Sequence, residues 1–236
     1  MDLPPQAETR FLVYELRTSL QDICPPIWRR LQIPSTFRLC CLHDALQIVM
    51  GWTDSHLHQF EKDDKCWGVP ESFEDYDMDI LDERRTEIGA VLKAQGDSVV
   101  YTYDLGDDWR HDVVVLEKIL PASDGTVRPV CLSGERHCPP EDVGGTSGYE
   151  EFLEVIFEPR HEEFKHYIQW AQGPSPINRS VGRFQPEELN LTAVNRRLSR
   201  RRWPGRHRHA LTHHGKSSAS SILGDSPSWP EGKLGG

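Results

Sequence analysis

"DSVVYTYDLGDDWRHDVVVLEKIL", residues 97–120, decides the fold class. Two runs rich in β-branched and aromatic residues flank Gly106, Asp107 and Asp108, which predicts an antiparallel hairpin with those three residues at its turn. Along the second run Trp109 and His111 point to one face, Arg110 and Asp112 to the other. The turn chemistry has a structural explanation: Asp side chains bond their own backbone and Gly106 supplies a positive φ. The same residues admit a second use. Asp104, Asp107, Asp108 and His111 are close enough in sequence to coordinate a divalent cation or share a proton.

Working outward, "FLVYELRTSL" (11–20) and "IWRRLQI" (27–33) read as strands joined by the "DICPP" turn. Ile27, Leu31 and Ile33 share one face of the second, with Trp28, Arg30 and Gln32 opposite. "LCCLHDALQIVMGW" has helical spacing at Leu39, Leu42, Leu46 and Val49 and stops at Gly51. "SHLHQFEK" reads as a short strand that places His56 and His58 on one face, a geometry able to chelate a metal. Glu71 to Glu83 has few apolar anchors and reads as an exposed acidic loop. "TEIGAVLKAQG", "SGYEEFLEVIF", "HEEFKHYIQWAQ" and "PEELNLTAVNRRLSRR" read as helices, with Ser147 as an N-cap and Pro186 in a first turn. The chain is therefore expected to be α+β: one domain over 9–202, an antiparallel-rich sheet with packed helices. Residues 203–236, where periodicity gives way to Ser, Gly, Pro, His and Arg, form an expected disordered basic tail.

The formal charge of −10 is unevenly spread. From Leu191 onward nine Lys and Arg face two acids, a net +7, which leaves −17 for the remainder. Seven of the arginines fall between Asn195 and His214, so weak, sequence-independent binding of nucleic acid through Arg196–Arg208 is one expectation, with Trp203 free to stack on a base. Folding of that tail back onto the acidic body is the other. The N-terminus has neither a basic nor an apolar signal region, and no run of apolar residues is long enough to span a bilayer. A cytoplasmic location without membrane contact is expected, and the six cysteines then read as reduced thiols or metal ligands.

"CPPEDVGGTSGYEEF" (138–152) is the other distinctive stretch. Pro139 and Pro140 stiffen the loop, so Glu141 and Asp142 are presented rigidly; Gly144 and Gly145 permit close backbone approach. Either the two acids bind loop amides or the cations Arg29 and Arg30, or they join Asp104, Asp107, Asp108, Trp109 and His111 in one acidic pocket. Such a pocket suits a divalent cation, a small cationic ligand or a basic segment of a protein partner. Cys131 and Cys138, with six residues between them and His111 as a third donor, are a weak zinc signal, since structural zinc pairs usually sit closer.

The segments "PPIWRRLQIP", "LHDALQIVMGWTDSHLHQF", "YTYDLGDDWRHDVVVLEKIL" and "CLSGERHCPPEDVGGTSGYEEFLEVI" occur in one order, and together the chain resembles the plasmid pRiA-type Orf-three family over roughly residues 9–200. That family includes TnpR-type passenger proteins of insertion sequences. The resemblance implies an α+β domain, found in bacteria, archaea and mobile elements, without an established activity. Cys131 and Cys138 fit its pattern, whereas Cys24 and the pair Arg136-His137 depart from it. The nucleophilic serine among arginines that a serine recombinase needs is not present as a motif.

No nucleophile–base pair and no phosphate loop can be identified, so a non-enzymatic binding or adaptor module is the leading expectation. The alternatives are a metal-dependent hydrolase built on the Asp/His/Glu pocket and a nucleic-acid accessory protein of a mobile element.

Overall fold

The hairpin read from residues 97–120 forms in the computed structural model, which describes residues 12–74, 79–119, 128–171 and 184–204. Strand β6 (Ser98–Tyr103) pairs antiparallel with β7 (Trp109–Ile119), Tyr103 opposite Trp109, so residues 104–108 make the turn. Its positive φ angles fall on Asp104 (56°) and Asp108 (52°), not on Gly106 as expected. Asp104 tolerates the left-handed region because its own carboxylate accepts from the amides of Gly106 (3.0 Å) and Asp107 (3.3 Å). Beyond the turn Trp109, His111, Val113 and Val115 are buried while Asp112 is exposed, the alternation that the sequence predicts.

The other β-strands are β1 (Val13–Leu20), β2 (Trp28–Pro34), β3 (His58–Lys62), β4 (Lys65–Gly68), β5 (Ile80–Asp82) and β8 (Val130–Glu135). All eight lie in one sheet of order β5-β4-β3-β6-β7-β1-β2-β8, antiparallel except for the parallel β4–β5 pair. The predicted β1–β2 hairpin is present, with Leu16 opposite Leu31 and both fully buried. Strands β4, β5 and β8 were not expected. The acidic stretch from Glu71 to Glu83 is not simply an exposed loop: it contributes β5, and Glu83 is buried.

Five helices complete the described fold: α1 (Leu39–Met50), α2 (Ile88–Val91), α3 (Gly145–Phe157), α4 (Phe164–Ala171) and α5 (Leu191–Arg200). Helix α1 buries Leu39, Leu42, Leu46 and Val49 and ends at Gly51, whose φ of 98° lets its amide return to Gln47 O at 2.9 Å. Helix α3 starts at Gly145, ahead of the expected cap Ser147. Gly144 caps it in the left-handed region (φ 91°), and a Cβ on Gly145 would lie 2.6 Å from Asp107 O. Helix α5 starts at Leu191 instead of near Pro186. Asn190 caps it by accepting from the Ala193 amide at 2.9 Å, while the Pro186 carbonyl is taken up by the His137 amide at 2.8 Å.

One core joins the sheet and α1, with α3 and α5 contributing Tyr149, Phe152, Val194 and Leu198. Of the expected tail, Trp203 and Pro204 are described and the rest lies outside the described residues. Trp203 is not free to stack on a base: it lies on Phe37, ring centroids 6.1 Å apart, and its indole N–H donates to Leu198 O at 2.8 Å. Among the described residues no helix is long and apolar enough to cross a membrane.

Helix α5 is fastened to the edge strand β8 by one side chain. Asn195 Oδ1 accepts from the Cys131 amide at 2.9 Å and Asn195 Nδ2 donates to the Cys131 carbonyl at 2.8 Å. Replacing Asn195 by Ala leaves both backbone groups without this partner, at a cost of about 1–3 kcal/mol. Asn195→Ala is expected to lower the thermal midpoint by several degrees in calorimetry; an unchanged midpoint would mean that the clamp contributes nothing.

Candidate functional site

Between α1 and β3 the chain runs from Gly51 to Leu57 past the turn end of the β6–β7 hairpin, where the Asp104 amide donates to Leu57 O at 2.8 Å. Trp52 anchors this passage: its ring stacks on Tyr103 with centroids 4.8 Å apart, and its indole N–H donates to Pro139 O at 3.1 Å. Glu141 then closes it. Its carboxylate accepts from the Tyr103 hydroxyl (2.6 Å), the Thr53 amide (3.1 Å), the Thr53 hydroxyl and the Ser55 hydroxyl (3.4 Å). The Tyr103 hydroxyl also accepts from the Ser55 amide at 3.0 Å. Burial first, and the adjacent Glu141 carboxylate second, raise the Tyr103 pKa, so this phenol stays protonated and donates.

This clamp brings the two distinctive sequence motifs together. Gly144 N donates to Asp107 Oδ2 at 3.1 Å, joining the 138–148 loop to the hairpin turn. Between them stands His56, whose Nε2 lies 3.0 Å from Asp142 Oδ1 and 3.6 Å from Asp104 Oδ2. That nitrogen is buried and has no hydrogen-bond partner among the described residues. Asp104 is nearly buried while the Asp142 side chain is 68% exposed, so the cluster opens to solvent on one side. Both aspartates hold positive φ, 56° and 59°.

The remaining candidates have other roles. Asp108 is exposed and faces Arg110 at 4.0 Å. Trp109 and His111 line no surface pocket, because both are core residues under Trp52. Cys131 and Cys138 are buried free thiols beside the Arg29 guanidinium, pushed upward by burial, Cys131 to about 11. With His111 they form no three-donor cluster, so the zinc reading of Cys131, Cys138 and His111 fails on geometry. Among the described residues the donor groups that converge are His56–Asp104–Asp142 and His43–Asp54–His58.

Of the two arginines read as possible partners of the loop acids, Arg30 meets Glu15 instead. Arg29 instead sits in the core and donates to the carbonyls of Val49 (2.9 Å), Trp28 (2.8 Å) and Glu135 (2.8 Å), tying α1, β2 and β8 together. Neither arginine meets Glu141 or Asp142.

His56 and His58 do not share a ligand set, because β3 begins only at His58 and the strand periodicity does not reach back to His56. His58 Nε2 binds Glu83 at 2.9 Å and its ring lies flat on His43, centroids 3.4 Å apart and planes within 9°. His43 in turn meets Asp54 through Nε2 and the Tyr101 hydroxyl through Nδ1, both at 2.9 Å. The His43 hydrogen bond holds the Asp54 carboxyl below its ordinary pKa. Sequence reasoning passed over His43, Asp54 and Glu83. His43 was visible in part, since it falls on the apolar face of α1; its partners are distant in sequence and carried no local signal. The pair is poorly placed for one metal ion. A ligand bond of about 2.0–2.1 Å lies near the plane of its imidazole, and two planes stacked in parallel cannot both contain the ion.

His111 makes the core pH-sensitive. It is fully buried, its Nδ1 faces Trp109 O (3.0 Å) and Tyr101 O (3.3 Å), and burial depresses its pKa to about 4. Between pH 6.5 and that value the unfolded chain binds a proton that the native core does not, so stability falls as pH drops through the window and levels off below it. The contribution is on the order of 3 kcal/mol at about 1.4 kcal/mol per pH unit. His111→Gln is expected to show a shallower loss in urea unfolding over this range, and parallel curves would refute the assignment.

The model of the Plasmid pRiA4b ORF-3-like protein family matches residues 12–193. An uncharacterized protein, y4hQ, of Sinorhizobium fredii (strain NBRC 101917 / NGR234) is 39% identical over 173 residues, 73% of this chain and 87% of that protein. The crystal structure of MM3350 from Methanosarcina mazei Go1, a protein of unknown function, is similar with a TM-score of 0.66 and 33% identity, covering 79% of this chain and 98% of the other.

Proposed function

The chain belongs to the plasmid pRiA4b ORF-3-like family, and we propose that it is a non-enzymatic binding module holding a divalent transition-metal ion on His56, Asp104 and Asp142. The observation that carries this reading is His56 Nε2, placed 3.0 and 3.6 Å from two carboxylate oxygens yet hydrogen-bonded to neither. Such separations suit donors that converge on one ion. One imidazole with two carboxylates favours manganese, iron or zinc, since magnesium prefers oxygen alone. The exposed Asp142 leaves coordination positions open for water or for a donor from a partner.

Binding is favoured over hydrolysis by the state of Glu141. A metal-dependent hydrolase needs a free base beside the metal-bound water. Glu141, the neighbouring acid, is saturated by hydroxyl and amide donors from Thr53, Ser55 and Tyr103. It serves to position the segment that carries His56.

Titration of the metal-stripped full chain with Mn²⁺ or Zn²⁺ in a calorimeter is expected to show one equivalent bound. His56→Ala and Asp142→Ala should each weaken it at least tenfold without lowering the thermal midpoint of the stripped protein. Equal affinity in either variant, or no binding by the wild type, would contradict the proposal.

A further inference from the structure

Helix α5 turns a basic face to solvent on a rigid mount. Val194 and Leu198 bury its inner side, Asn195 locks its rotation against Cys131, and Trp203 pins its end on Phe37. Arg196 and Arg200, one helical turn apart, are exposed on the outer side with Thr192 and Ser199, and Arg202 is exposed just beyond. Arg128, also exposed, reaches Ser199 O at 3.5 Å and extends the patch towards β8. From Leu191 to Pro204 there are five arginines and no acid. Among the described residues only Arg201 of these five has an acidic partner, Asp44. Arg197 keeps a buried Nη1 without a hydrogen-bond partner. Glu187, which precedes the helix, is engaged by Arg136 at 3.1 Å, leaving Glu188 as the nearby exposed acid in the chain.

We propose that the exposed face of α5, with Arg128 and Arg202 at its ends, docks on the phosphate backbone of duplex DNA. Charge complementarity selects the partner: this is a cationic face on a chain whose residues 1–190 carry −17, so a polyanion is attracted here and repelled elsewhere. Arginines at i and i+4 stand about 5–6 Å apart, a spacing that meets successive charges along one strand. Duplex is favoured over single-stranded nucleic acid because single strands need aromatic side chains for base stacking. The one aromatic residue of this segment, Trp203, is packed on Phe37. Contacts to phosphate carry no sequence information, so the docking proposed here is independent of sequence.

The test is fluorescence anisotropy of a labelled duplex of arbitrary sequence, titrated with the full chain at several salt concentrations. Four exposed arginines predict a slope of log affinity against log salt of roughly −3.6. The double swap Arg196→Glu/Arg200→Glu is expected to cut affinity at least tenfold at low salt while melting like the wild type. Arg206→Glu/Arg208→Glu, placed beyond the helix, should cost less. The proposal falls if the α5 swap binds as well as the wild type, if the swap beyond the helix alone abolishes binding, or if single-stranded DNA binds more tightly than duplex. It also falls if vesicles rich in phosphatidylserine are preferred over DNA.

Discussion

The carboxylate of Glu141 receives hydrogen bonds from residues on two different parts of the chain, the Thr53–Ser55 passage after α1 and Tyr103 at the end of β6. Because Glu141 itself belongs to the 138–148 loop, three segments far apart in sequence are fixed at one point. The groups that bear chemistry follow from that fixation. Its neighbour Asp142 is turned towards His56, and Asp104, one residue past Tyr103, approaches from the hairpin turn. An ionised carboxylate that accepts several donors in a partly dry site is held more firmly than a neutral group would be. Without it the loop would keep its prolines and glycines and lose its register against the hairpin.

The two histidine clusters show how different the consequences of similar residues can be. In His43–His58 every polar nitrogen named above faces a carboxylate or a hydroxyl, and the rings are stacked, so the group is satisfied as it stands. In the cluster around His56 two carboxylate oxygens stand at 3.0 and 3.6 Å from Nε2, which is buried and has no hydrogen-bond partner among the described residues. The first arrangement stabilises the junction of α1 with β3 and β5. The second keeps a buried imidazole nitrogen unsatisfied beside two carboxylates, which is why the metal is proposed there.

Much of the framework was legible because it is local. The β6–β7 and β1–β2 hairpins, α1 and its glycine stop all follow from periodicity and turn residues within short windows. Strands β4, β5 and β8 were not legible: they are short edge or near-edge strands, and β8 carries Ser133 and Gly134 where a continuous apolar run would have marked it. The helix starts were misplaced where a tertiary contact decides them, Gly144 and Gly145 against Asp107 for α3 and Pro186 against His137 for α5. For the site, the sequence brought Asp104, Glu141 and Asp142 into one reading but assigned His111 to it, because strand alternation cannot tell a core face from a pocket wall. His56, the residue that joins the acids, was read as half of a pair with His58, since the break in the strand between them carries no sequence mark.

The central claim is that His56, Asp104 and Asp142 share one ion. Crystals grown or soaked with Mn²⁺ and measured for anomalous scattering address it most directly. The account predicts a peak at coordination distance from His56 Nε2 and from one carboxylate oxygen each of Asp104 and Asp142. A peak between His43 and His58, or none within reach of His56, would contradict it.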